Sequence, residues 1–105
     1  MVKPVEEEKK VDVYGNPYFK LSNGSSYSKE TKFIGYCTSD TLNCRMGPGT
    51  EYGLVSSKKN IKKNDTVYVC DGIINKSGNL WYYVKIKNIL KYTYAFVSAK
   101  YIKAK

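Results

Sequence analysis

From Phe33 to the C-terminus, turn-forming residues cut the chain into short pieces of alternating apolar and polar character. None of its longer stretches shows helical periodicity. A helix needs apolar residues every three or four positions over several turns, whereas a half-buried strand needs only alternation over about five residues. The pattern therefore points to short antiparallel strands. Thr41-Leu42-Asn43-Cys44-Arg45 sets Leu42 and Cys44 on one face and Asn43 and Arg45 on the other. Met46-Gly47-Pro48-Gly49-Thr50 must leave the sheet, because proline lacks a donor and glycine admits positive φ. Further strands read over 32–37, 66–70, 80–86 and 92–97. Asn64-Asp65, 75–79 and 87–91 connect them, and 98–102 forms a short turn onto a last strand. The expected fold class is all-β, a small barrel of about five to seven short antiparallel strands. Its core is expected to hold Leu42, Cys44, Val67, Val69, Val84, Ile86 and Val97.

Ahead of this run, residues 1–12 are charged and carry Pro4, and read as a linker or tail. Residues 13–32 form an N-terminal extension with room for one extra strand, broken at Gly15-Asn16-Pro17 and followed by loop composition over 22–26. No apolar run approaches the roughly 20 residues of a membrane span. The N-terminus lacks the apolar core of a secretory signal, so export is expected to come from elsewhere.

Charge narrows the partners. The net charge is +9, and residues 1–12 contribute a small negative share of it, leaving a strongly basic remainder. Such a surface attracts polyanions. The basic side chains are 17 lysines and Arg45 alone, whereas base-specific nucleic-acid readers lean on arginine's bidentate fork. The excess reads as diffuse attraction, and nucleic acid is disfavoured as a partner.

The absence of histidine removes histidine-based metal sites and Ser-His or Cys-His nucleophile pairs. Cys37, Cys44 and Cys70 show no CxxC spacing and are odd in number, so they read as free thiols acting as small buried hydrophobes. Ser56-Ser57-Lys58-Lys59 matches a nucleophile pattern whose partner motifs are missing. The expectation is no catalytic residue, no metal and no cofactor.

Three segments then resemble a known family. Thr41-Leu-Asn-Cys-Arg-Met-Gly-Pro-Gly-Thr-Glu-Tyr52 resembles the Leu-Asn-Val-Arg-Ser-Gly-Pro-Ser-Thr-x-Tyr signature of bacterial SH3 domains. Leu80-Trp-Tyr-Tyr-Val-Lys-Ile86 is similar to that family's Gly-Trp-Tyr-Lys-Val strand, and Ala95-Phe-Val-Ser-Ala-Lys-Tyr-Ile102 to its closing segment. Cys44 stands where valine is usual, and Leu80 and Ala95 replace glycines. The resemblance implies an SH3-like barrel over 33–105. It also implies a non-catalytic module that binds peptidoglycan or an associated anionic wall polymer, acting outside the cell at the wall. A catalytic domain of an autolysin or phage endolysin would then lie in the parent chain.

A binding site of that kind needs flat rings, with amide, hydroxyl or guanidinium groups to fix orientation. Among Tyr52, Trp81, Tyr82, Tyr83, Tyr92, Tyr94 and Phe96, alternation assigns Tyr82 to the core with Val84 and Ile86, opposite Trp81, Tyr83 and Lys85. The candidate ligand-binding residues are Asn43, Arg45, Tyr52, Trp81, Tyr83 and Tyr94, with Tyr94 taken as the exposed ring of the last strand. Trp81 also reads as half-buried architecture, and Arg45 as a tie for the loop that follows it. Competing readings are a basic nucleic-acid-binding barrel with base-stacking aromatics and a proline-peptide adaptor, whose groove needs the carboxylates this chain scarcely has.

Overall fold

The computed structural model describes residues 10–105, so most of the charged tail lies outside the described residues. Seven strands follow one another: β1 (Phe33–Cys37), β2 (Thr41–Asn43), β3 (Asn60–Lys62), β4 (Thr66–Ile74), β5 (Leu80–Asn88), β6 (Lys91–Ser98) and β7 (Ile102–Ala104). A 3-10 turn, Ala99–Tyr101, joins the last two. Among the described residues the fold is all-β, and every strand pairing is antiparallel.

The strands do not close into a barrel. They form an open five-stranded sheet in the order β6-β5-β4-β1-β7 and a separate pair, β2-β3. The reason lies at the two edges. On β6, only Arg45 adds to the ladder, its N–H donating to Phe96 O at 2.9 Å and its carbonyl accepting from Phe96 N at 2.8 Å. Beyond it Pro48 cannot donate, and the chain turns away. On β7, a side chain takes the place of a strand: Asn16 Nδ2 donates to Ile102 O at 2.8 Å, and Asn16 Oδ1 accepts from Ala104 N at 2.9 Å. Capping an edge in this way leaves no free row of donors there for another chain.

The core has the composition that alternation gives. Cys44, Val67, Val69, Val84 and Val97 are fully buried, Leu42 and Ile86 nearly so, and Tyr82, Ile61 and Ile102 join them. Each such aliphatic side chain stabilises the fold by about 1.5–3 kcal/mol relative to exposure. The three cysteines are buried free thiols.

The extension departs from expectation. It supplies no strand, yet it is part of the fold from Lys10 onward, so the tail ends earlier than residue 12. Asp12 Oδ1 accepts from Tyr14 N and Asn16 N, closing a small loop in which Val11 bridges to Pro17. Phe19 and Phe33 then pack on Tyr82, at 6.3 and 5.6 Å between ring centres. Leu21 lies against Gly72, where an added Cβ would come within 3.1 Å of its side chain. A β-bulge between Val69 and Asp71 re-aims the Asp71 carboxylate to accept from Ser28 N at 2.7 Å. Tyr27 thereby crosses to the other face of the sheet, against Tyr83 and Phe96.

Candidate functional site

A groove of about 380 Å³ opens where β2, β5 and the 3-10 turn meet, with Asn43, Arg45, Thr50, Trp81, Lys100 and Tyr101 along it and Tyr14 at one wall. Its floor follows from local chemistry. Strand alternation turns Asn43 and Arg45 outward while Leu42 and Cys44 fill the core. The Arg45 guanidinium then donates from Nη1 to Tyr52 O at 2.8 Å, holding the loop that carries Gly47, Pro48 and Gly49. Asn75 Nδ2 donates to Pro48 O at 3.0 Å and fixes the same loop to the β4–β5 turn. Gly47 is required there, since an added Cβ would sit 2.4 Å from the Tyr52 ring.

Of the six residues that sequence reasoning selected, the groove brings together Asn43, Arg45 and Trp81. Trp81 is 6% exposed, so it lines the groove as a wall, with no open ring face for stacking. Among the described residues no protein group accepts from its indole N–H, and no buried side-chain polar atom is left unpaired, so that donor meets solvent. The exposed Asn43 carboxamide likewise has no protein partner among the described residues. Tyr52 is exposed beside the loop and contributes its carbonyl, with its ring packed over Gly47.

Tyr83 and Tyr94 lie elsewhere, on the outer face of β4–β6, stacked on each other at 5.4 Å with a 17° tilt. Tyr94 is half-buried, and the exposed ring of β6 is Tyr92 instead. Tyr92, Tyr94 and Phe96 share one face, and burial deepens toward Phe96 because Tyr27 covers that end. Burial raises the phenol pKa of Tyr83, with Tyr94 adding to the shift, and that of Tyr27, with Asp71 and Tyr52 adding to it. Both therefore remain neutral donors in neutral solution.

Sequence reasoning missed Tyr14, Lys100 and Tyr101 in the groove. The Lys100 ammonium lies 5.7 Å from the Tyr101 ring, itself 37% exposed. Tyr101 could have been found, because it follows the Phe96-Val97 strand within the closing motif. Tyr14 could not, since it reaches the groove only through the fold of the extension.

A second hollow of similar size is lined by Val11, Val13, Pro17, Phe19, Leu21 and Leu80 among others. Its one carboxylate, Asp12, is already engaged by two backbone N–H groups and the Tyr82 hydroxyl, so it offers a ligand apolar contact without orientation. Among the described residues no group of three or more His, Cys, Asp or Glu side chains is placed to hold a metal ion, and no helix is long and apolar enough to cross a membrane. Compared with family models, curated proteins and solved structures, the chain matches none.

Proposed function

We propose that this chain is a non-catalytic SH3-type module that binds bacterial peptidoglycan in the groove over Asn43, Arg45 and Trp81. An attached lytic enzyme would thereby be targeted to the wall. The observation that carries the reading is the groove's chemistry. The Asn43 carboxamide and the Trp81 indole N–H, free of protein partners among the described residues, converge with the half-exposed ring of Tyr101. Amide and indole donors beside an aromatic edge suit a ligand of amides and hydroxyls, the groups that peptidoglycan repeats along its length. The fold reading within this proposal is a partly open SH3-like barrel. The antiparallel pairing through Arg45 to β6 supports it, because it brings β2-β3 onto the edge of the five-stranded sheet.

A base-stacking nucleic-acid module is the weaker reading, because Trp81 is too buried to offer a ring face and Arg45 is occupied by the loop it holds. The proposal is tested by sedimenting the protein with peptidoglycan purified free of attached polymers. Wild type is expected in the pellet, and Asn43→Ala largely in the supernatant with an unchanged melting temperature. Equal retention of both would remove the groove from the account.

A further inference from the structure

The outer face of β4–β6 holds a second arrangement, separate from the groove. Register sets Lys85 opposite Tyr68 on one side and Tyr94 on the other, with Lys87 opposite Tyr92 on the next rung. The Lys85 ammonium lies 5.0 Å from the centre of the Tyr92 ring and 5.5 Å from that of Tyr68. Those two rings meet edge to face at 6.0 Å. From the extension, Lys29 places its ammonium 4.7 Å over Tyr94. At the far end Lys105 donates to Thr66 Oγ1 at 2.8 Å.

None of these four lysines pairs with a carboxylate among the described residues. The carboxylate that the bulge turns onto this face, Asp71, is 7% exposed and spends its oxygens on Ser28 N and Gly72 N. Among the described residues the row thus forms no ion pair, and rings hold two of its ammoniums in place where counter-ions would otherwise do so. An ammonium over a ring keeps its charge and its solvent-facing donors. Because its side chain is already ordered, binding an anion costs less rotamer entropy.

Two kinds of polyanion fit the charge, and the rings discriminate between them. Single-stranded nucleic acid gains its affinity from bases stacked on free aromatic faces. Here Tyr94 is stacked on Tyr83 and capped by Lys29, while Tyr68 and Tyr92 share Lys85. We infer that this face binds a base-free phosphodiester polymer, a chain of polyol phosphates, through Lys29, Lys85, Lys87 and Lys105. The site is independent of the groove and does not rest on the peptidoglycan reading.

The test titrates the whole chain with soluble poly(glycerol phosphate) and, in parallel, with oligothymidylate of equal phosphate number, at about 50 mM salt. The expected result is binding of the glycerol polymer in preference to the oligonucleotide, about tenfold weaker in the Lys85→Gln/Lys87→Gln variant and shallower in its salt dependence. Excess soluble peptidoglycan fragments should not displace the polymer. A second variant, Lys29→Gln/Lys105→Gln, draws on a different segment of chain and should weaken binding in the same direction, which guards against a folding defect in the first. The inference is overturned by any of three results. Wild type fails to bind the polymer, both double variants bind as wild type does, or the oligonucleotide binds more tightly and loses affinity with the same lysines. Failure of the groove reading appears separately, on polymer-free peptidoglycan.

Discussion

The Asn16 side chain, 1% exposed, donates from Nδ2 to the buried Tyr82 hydroxyl at 3.0 Å. Tyr82 in turn donates to Asp12, and the same amide spans Ile102 and Ala104 of β7. One asparagine thus ties the extension to the centre of β5 and to the sheet edge, which makes the segment before Phe33 part of the domain.

Replacing Asn16 by alanine is expected to cost about 2–4 kcal/mol, because it leaves the Ile102 carbonyl and the Ala104 N–H without that partner and the Tyr82 hydroxyl with Asp12 alone. Tyr82→Phe should cost less, about 1–2 kcal/mol, since the ring stays packed and the hydroxyl alone is lost. Urea unfolding midpoints measure both. Costs below about 0.5 kcal/mol for each would mean that the extension is held by other means.

Alkali should destabilise the fold. Burial pushes the Cys44 thiol from 9.0 up to about 11, and burial is also the first cause of the upward shifts of Cys37, Cys70 and Tyr82. An acid whose folded pKa is raised favours the folded state while it keeps its proton. That contribution is complete below the unfolded pKa and is lost as pH rises through the folded one. For Cys44 the window runs from about pH 9 to about pH 11. Stability measured across it should fall, and Cys44→Val, which fills similar space without a titrating proton, should fall less steeply. Parallel curves for the two proteins would contradict the linkage.

Asn43 and Arg45 should separate binding from stability. Asn43→Ala removes an exposed group without a protein partner among the described residues, so wall binding should weaken by about 1–2 kcal/mol while the melting temperature holds. Arg45→Ala also frees the Tyr52 carbonyl and should lower both, with a stability loss of about 1 kcal/mol. Paired thermal melts and sedimentation on purified walls read the difference.

Salt should divide the two sites. Raising it from about 0.05 to 0.5 M shortens the Debye length severalfold. Binding to walls that retain their phosphate polymers should weaken strongly, and binding to stripped peptidoglycan only modestly. Equal salt dependence on both surfaces would mean that diffuse lysine attraction accounts for all of it.

The strands were legible because their information is local. Leu42, Cys44, Val67, Val69, Val84, Ile86 and Val97 alternate with polar neighbours, and all are buried as alternation requires. β3 was not legible, because Asn60-Ile61-Lys62 offers Ile61 alone as signal among lysines. The extension escaped for a related reason: Asn16, Phe19, Leu21 and Tyr27 each make one decisive contact at irregular spacing, with no period to read. The candidate site was half legible. Alternation put Trp81 and Tyr83 on the same face of β5, but it gives a side and not a position along it, and the structure sends Trp81 to the groove and Tyr83 to the aromatic face. Depth was equally hidden, since Tyr94 is sheltered by Tyr83 and Lys29 while Tyr92, nearer the hairpin end, stays exposed beside Lys85 and Tyr68.

The central claim is that the groove over Asn43 and Trp81 is where peptidoglycan binds, and chemical-shift mapping tests it most directly. Soluble peptidoglycan fragments would be added to isotopically labelled protein, following the side-chain amides of Asn43 and of Asn79, which also lines the groove, the Trp81 indole N–H and the Tyr101 backbone. The account predicts saturable shifts at these four, with Tyr68, Tyr92 and Lys85 unmoved. Shifts confined to the outer face, or none at the Trp81 indole at saturation, would contradict it.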